Sequence, residues 1–143
     1  MELTNLGLRK DNKDIMPAFG TMRARSAPGI WPEIEAALGD PEMIDDGDPQ
    51  PSADAASTLK QVVEQAEQML PNPVPPPHIE FLEGSIRLIW SSPVRNIRLV
   101  IASRPDRRSF LYHEEVQNGL GVNEGIVEPT PENLVQWLTM MQS

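Results

Sequence analysis

The two histidines of this chain, His78 and His113, are the side chains best suited to proton transfer or metal binding near neutral pH. His78 follows a run of prolines and His113 lies at the end of a predicted strand, so the two could meet across a sheet. Neither belongs to a His-Glu-x-x-His pattern, and the chain has no cysteine to complete a mixed metal site. Ordinary strand-end histidines are the favoured interpretation, and a small hydrolase that uses His78 or His113 is an alternative hypothesis.

A proline- and aspartate-rich loop over residues 40–51 could in principle bind Ca²⁺, because hard cations prefer several carboxylates on one flexible loop. Its aspartates are Asp40, Asp45, Asp46 and Asp48. Their spacing differs from that of an EF-hand loop, which needs alternate acidic positions, then a glycine and a closing glutamate. The favoured interpretation is a solvated loop, and cation binding by this loop stays open.

Other motifs that often mark enzymes are incomplete. Gly119, Gly121 and Gly125 resemble part of a dinucleotide fingerprint, but position 124 is Glu rather than Gly and no βαβ unit surrounds them. The serines considered as nucleophiles, none of which lies in a Gly-x-Ser-x-Gly elbow, are Ser57, Ser91 and Ser92. The absence of cysteine excludes thiolate zinc sites and cysteine nucleophiles. We therefore predict a protein that is not an enzyme and that has no cofactor and no metal.

The net charge of −9 is concentrated in the middle of the chain. Residues 31–85 carry a charge of −11, whereas residues 1–30 carry +2 and residues 86–143 are neutral. Non-specific binding to nucleic acid requires a dominant cationic surface that releases counterions from phosphates. We therefore predict no direct binding to DNA or RNA, and the acidic segment would either attract a basic protein or keep the chain soluble.

The first half of the chain shows two helical signals. Residues 32–38 have a proline at the first position and a glycine behind, which predicts a short helix preceded by Trp31 as a core anchor. Ser52 can cap a longer helix over residues 53–70, whose apolar residues recur on one face. The prolines of residues 71–77 stop that helix and form a polyproline-like connector.

The apolar period changes to two after the connector, which predicts a sheet over residues 79–128. The alternating residues are Ile79, Phe81, Ile86, Leu88, Trp90, Ile97, Leu99, Ile101, Phe110 and Tyr112. Short turns separate these segments, so an antiparallel meander of four strands is expected, with an edge strand at 125–128 as a fifth. A last helix over residues 131–141 should lay Trp137 on the sheet.

The predicted organisation is an irregular N-terminal arm, residues 1–29, followed by one domain over residues 30–143. Its fold class is α+β: a four- to five-stranded antiparallel meander packed by two amphipathic helices. No apolar run of signal-peptide or membrane-spanning length is present, so we expect no membrane association and a cytoplasmic location.

Part of the sequence resembles a recurrent pattern in small uncharacterised bacterial and phage proteins. Residues 77–90 contain a proline, a strand, a tight glycine turn and a strand ending in Trp90, and residues 45–48 read DDGD ahead of the helix at 53–70. The resemblance covers residues 45–143 and carries no assigned activity. It implies a small bacterial or phage accessory protein.

These observations favour a non-catalytic protein-binding module, such as an accessory subunit, an inhibitor or an antitoxin-like protein. Its expected partner is another protein, such as a basic one, or a second copy of the chain. The residues predicted to bind a partner are Leu6, Leu8, Ile15, Met16, Phe19, Trp31, Arg104, Arg107 and Arg108. The three arginines form the only concentrated positive patch. A solvated hairpin loop is the favoured interpretation, and the alternative is a contact with an acidic surface, including the acidic segment of another copy. The alternative is a structural protein that self-assembles through its arm or an edge strand.

Overall fold

A computed structural model describes residues 29–117 and 121–142 of the chain. It contains three α-helices, a short 3₁₀ turn at Pro41–Met43 and one five-stranded sheet in these ranges. The helices are α1 (Trp31–Leu38), α2 (Ala53–Met69) and α3 (Pro131–Gln142). The strands are β1 (His78–Leu82), β2 (Ser85–Ser91), β3 (Arg95–Ile101), β4 (Phe110–Gln117) and β5 (Gly121–Val127). The predicted arm falls outside the described residues, except for Gly29.

The helix boundaries follow from local capping chemistry. Ser52 accepts a hydrogen bond from the Ala55 N–H at 3.0 Å and caps α2, as the sequence predicted. Thr130 does the same for α3, since its hydroxyl oxygen accepts from the Asn133 N–H at 3.1 Å. Helix α1 begins at Trp31, one residue earlier than predicted.

The strands pair antiparallel in the order β1-β2-β3-β4-β5, which confirms the predicted meander. Glu83 and Gly84 connect β1 and β2 with φ values of 52° and 85°. Two successive positive φ angles match the twist of the flanking strands, and glycine adopts such an angle at little cost. This turn therefore sets the register in which Leu82 faces Ser85.

Strands β4 and β5 are longer than the sequence predicted. The predicted fourth segment centred on Phe110 and Tyr112, but β4 continues to Gln117, and β5 begins at Gly121 rather than at residue 125. Pairing between the two strands places these polar and glycine residues in a ladder, with Glu114 facing Glu124. Their weak strand propensity is overridden by cross-strand hydrogen bonds, which a pattern search along one segment does not detect.

One face of the sheet forms the core together with the helices. Helix α2 packs on β2 and β3, and α3 packs on β3 and β4. The fully buried residues of this layer include Ile34, Leu59, Val63, Ile86, Leu88, Ile97, Leu99, Ile101, Leu111, Leu134 and Leu138. We call the opposite side of the sheet the open face. None of the helices in the described ranges combines the length and apolar character needed to cross a bilayer.

The described chain begins against α2. The Ile30 side chain is buried, and the Ile30 N–H donates to the Glu67 carboxylate at 2.8 Å. Burial raises the pKa of Glu67, and the hydrogen bond from Ile30 partly opposes this shift. Trp31 also packs against the core, with the Lys60 Nζ 5.9 Å from its ring centroid. This is the anchor position expected for Trp31, and its role in partner binding stays a prediction.

Candidate functional site

A row of side chains crosses the open face of the sheet. Arg87 of β2 faces Val100 of β3, which in turn faces Phe110 of β4. Residues directly opposite in antiparallel strands point to the same face, so the three side chains lie next to one another. The row ends beside the loop between β3 and β4, which carries the three arginines predicted to form a patch.

A pocket of about 240 Å³ lies at this end of the open face. Arg104, Arg107 and Arg108 line it together with Arg87, and Val100 and Phe110 contribute apolar surface. We call these four arginines and the cavity between them the arginine pocket. The structure thus brings the predicted arginines together and adds a fourth from a different strand.

Each loop arginine has a carboxylate partner. Arg104 binds Asp106 through two contacts, Nε to Oδ1 at 3.0 Å and Nη2 to Oδ2 at 2.8 Å. This pairing, mainly the hydrogen bonds from Arg104, lowers the pKa of Asp106 below its ordinary value. Arg107 Nη2 lies 3.1 Å from Glu83 Oε1 and so ties the loop to the β1–β2 turn.

The third loop arginine connects the pocket to the end of β5. Arg108 Nη2 lies 3.1 Å from Glu128 Oε2, and both side chains are largely exposed. Exposed pairs of this kind contribute little to stability, about 0–1 kcal/mol, because water screens them. Their carboxylates can therefore be exchanged for those of a partner at small cost.

Arg87 differs from the loop arginines. Its Nε is buried and has no hydrogen-bond partner within the described residues. Its cross-strand neighbour is Glu80, whose carboxylate instead lies 3.2 Å from His78 Nε2. A buried donor without an acceptor is costly, and a carboxylate or another anion would satisfy it.

The acidic loop, residues 40–51, and the adjoining Ser52 contact the β1–β2 turn and Ser103 next to the pocket. The Asp48 carboxylate accepts a hydrogen bond from the Glu83 N–H at 3.2 Å. The Ser103 hydroxyl donates to the Gly84 carbonyl and accepts from the Ser52 N–H. A Cβ at Gly84 would lie 3.4 Å from the Pro49 side chain, so loop and turn are in contact. This loop, predicted to be solvated, therefore docks on the sheet through its last residues.

No cluster of His, Asp and Glu that could hold a metal ion is found in the described ranges. This observation covers the aspartates of the acidic loop, which the sequence had raised as a Ca²⁺ hypothesis. Asp40 has a local role, since its side chain accepts from the Glu42 N–H at 3.0 Å and caps the 3₁₀ turn.

The two histidines lie on opposite faces of the sheet and do not meet. The side chain of His78, on β1, is 69% exposed. His113 lies within β4 rather than at its end, is buried, and its ring centroid is 4.8 Å from that of Trp137. Trp137 of α3 thus lies on the sheet, in the position that its helical stripe predicted. Burial lowers the pKa of His113.

Two of the serines considered as nucleophiles, Ser91 and Ser92, have structural hydrogen bonds. Ser91 and Ser92 line a shallow groove of about 560 Å³ that His78 also lines. The Ser91 hydroxyl accepts from Asn96 at 2.8 Å, and the Ser92 hydroxyl accepts from the Arg95 N–H at 3.1 Å. Both hydroxyls therefore stabilise the β2–β3 turn.

Acidification is expected to destabilise the fold through His113. Its folded-state pKa lies below the ordinary value of 6.5, so the unfolded chain binds the proton more readily. The contribution of the neutral His113 ring to the free energy of unfolding is complete above the ordinary pKa of 6.5. It is lost as the pH falls through the folded-state pKa. Glu115 opposes this shift and Arg95 adds to it.

Urea unfolding at about pH 7.5 and about pH 5.5 measures this effect. The variant His113→Phe keeps an aromatic ring against Trp137 and should lose part of the pH dependence. The control His78→Phe removes the exposed histidine and should keep it. An unchanged pH dependence in His113→Phe would contradict the assignment.

The remaining predicted site residues lie elsewhere. Leu6, Leu8, Ile15, Met16 and Phe19 fall outside the described residues. Arg87 was missed because it lies apart from the loop arginines in sequence. Its signal was alternation: Arg87 lies between the core residues Ile86 and Leu88 and must point to the other face.

Fold and site together define a small α+β protein with a one-sided antiparallel sheet and an arginine-lined pocket on its open face. Comparison with protein-family models, curated proteins and solved structures finds no match for this chain. The function must therefore be argued from the pocket.

Proposed function

We propose that this protein is a non-catalytic protein-binding module that takes an acidic side chain of a partner into the arginine pocket. The observation that carries the proposal is the buried Arg87 Nε without a hydrogen-bond partner at a cavity lined by three more arginines. A guanidinium group can form two parallel hydrogen bonds with one carboxylate. The pocket volume suits one Asp or Glu side chain.

The charge distribution supports a protein ligand. The lining of the pocket contains four arginines and one carboxylate, that of Glu83, so the lining is locally positive on a chain of net charge −9. The phosphate backbone of a nucleic acid would lie against the acidic remainder of the protein surface. A single acidic side chain needs only the pocket, because its contact is local.

The proposed setting is that of an accessory, inhibitor or antitoxin-like protein of a bacterial or phage system, acting in the cytoplasm. The sequence resemblance supports the bacterial or phage accessory protein alone. In such a system the acidic segment over residues 31–85 would contact basic surface of the partner, while the arginine pocket anchors one acidic residue. The two contacts would together fix the orientation of the complex.

Fluorescence anisotropy with a fluorescein-labelled hexaglutamate peptide tests the pocket. We expect binding that weakens with added salt and that Arg87→Gln weakens about tenfold, since a hydrogen bond between charged groups contributes about 1.5–3 kcal/mol. The matched control is Arg98→Gln. Arg98 lies on the same face but outside the pocket, next to the Tyr112 ring. This control should bind the peptide like the unaltered protein.

Equal affinities for the Arg87→Gln and Arg98→Gln variants would show that only net charge matters, and the pocket proposal would fail. A labelled single-stranded oligothymidylate provides the second comparison. Tighter binding of the oligonucleotide than of the peptide would overturn recognition of a protein. Circular dichroism of each variant checks that the sheet is retained.

A further inference from the structure

Strand β5 forms an exposed edge of the sheet. Within the described residues it pairs with β4 on one side, and its other side has no strand. Its apolar side chains are exposed on both faces: Val122 by 54%, Ile126 by 65% and Val127 by 36%. Its sequence, GVNEGIV, has neither the lysine nor the proline that commonly protects such an edge.

The open face near this edge also carries apolar side chains, next to the Glu114–Glu124 pair. The Val116 N–H donates to the Val94 carbonyl, and Val116 faces Val122 across β4 and β5. These three valines are each about half exposed, at 46%, 47% and 54%. An exposed apolar strip that reaches an unpaired edge is typical of a sheet that continues into another chain.

The symmetry of an edge-to-edge pair restricts its register. A two-fold axis perpendicular to the sheet keeps the open faces of both copies on one side. Each residue must therefore lie opposite a residue of the second copy whose side chain points to the same side of the sheet. Complete overlap of the seven β5 residues places Glu124 on the axis. Val122 then faces Ile126 of the second copy, and the same pair occurs again across the axis.

We propose that two copies of this chain associate through antiparallel pairing of β5, with Glu124 on the two-fold axis and a continuous sheet across the dimer. The register with the most backbone hydrogen bonds is also the one that matches apolar with apolar side chains. A shift by two residues shortens the overlap and places Glu124 opposite Val122 or Ile126 of the second copy. One register thus gives both the longest overlap and the pairing of Val122 with Ile126, which favours a second copy over an unrelated strand.

The arrangement brings four carboxylates together, because each Glu124 also faces Glu114 of its own copy across β4 and β5. Two Glu124 carboxylates face each other at the axis, and like charges directly opposite in a sheet are destabilising. Each carboxylate accepts a hydrogen bond from its own Tyr112 hydroxyl at 2.7 Å, which draws it toward β4. The dimer is therefore expected to dissociate on dilution, and Glu124→Gln should strengthen it about twofold to fivefold.

The register can be tested by a single cysteine, because the natural chain has none. In the proposed dimer, Glu124→Cys faces itself with Cα atoms about 4.5–5.5 Å apart, within disulfide range. The matched control Val122→Cys is about 14 Å from its own copy and should not form a disulfide. Mild oxidation of each full-length variant, followed by non-reducing electrophoresis, distinguishes them.

Analytical ultracentrifugation over a wide concentration range measures association independently. The unaltered chain should form a concentration-dependent dimer, and Ile126→Lys should weaken it at least about tenfold, since a lysine on an edge blocks pairing. Met69→Lys is the control, because Met69 is a similarly exposed apolar residue on α2. A monomer at every concentration would overturn the proposal. Cross-linking of Val122→Cys as readily as Glu124→Cys would overturn this register.

Discussion

Replacement of Trp90 by alanine is expected to lower the free energy of unfolding by about 3–5 kcal/mol. Trp90 is 3% exposed, is the last but one residue of β2 and belongs to the core. Its indole N–H donates to the Pro75 carbonyl at 2.7 Å, so the same side chain attaches the proline connector to the sheet. Truncation removes a large apolar surface from the core and leaves that carbonyl without its partner.

Urea unfolding of the purified variants measures this effect. Trp90→Phe separates the two contributions, because it keeps much of the packing and loses only the indole N–H; we expect about 1–3 kcal/mol. Val94→Ala is the control, since Val94 is 46% exposed. Equal stability of Trp90→Ala and the unaltered protein would show that β2 does not form the core.

Truncation of Leu138 to alanine should cost about 2–5 kcal/mol. Leu138 lies on α3 and is fully buried in the core between this helix and the sheet. The cavity left by the missing side chain cannot close, because strands β3 and β4 hold the sheet in place. Thermal or urea unfolding followed by circular dichroism gives the measurement.

The neighbouring exposed residue offers the control. Thr139 follows Leu138 on α3 and is exposed, so Thr139→Ala should change stability by less than about 0.5 kcal/mol. If both variants were as stable as the unaltered protein, burial of Leu138 would not stabilise the fold and α3 would not close the core. If both were strongly destabilised, helix formation rather than burial of Leu138 would be the cause.

The arginine pocket and the β5 edge are separate surfaces, so their tests are independent. The pocket is lined from β1, β2, β3, β4 and the adjoining loops, whereas the dimer uses β5, and the exposed Arg108–Glu128 ion pair lies between the two surfaces. Loss of peptide binding in Arg87→Gln should leave the dimer intact. Conversely, Ile126→Lys should dissociate the dimer without weakening peptide binding.

Local patterns in the sequence determined most of the architecture. The proline connector separates a helical period from a two-residue period, and Ser52 and Thr130 mark where α2 and α3 begin. These features act within a few residues: a cap satisfies nearby N–H groups, and a strand must alternate if one face is buried. The helices, the meander and its core face could therefore be predicted without coordinates.

The candidate site depended on contacts between distant residues. Arg87 joins the loop arginines only because β2 faces β3 in one particular register. The pairings of β1 with β2, β2 with β3 and β3 with β4 place His78 and His113 on opposite faces, against the expectation that they could meet. Strand β5 and the end of β4 form through each other, with little strand propensity of their own.

The sequence by itself therefore determined the elements and the side of the sheet that is buried, because caps, prolines and alternation act locally. The tertiary structure alone decided which charged residues share a surface and which edge is exposed. Cross-strand register and loop docking set those relations, and both depend on interactions between segments that are far apart in the chain.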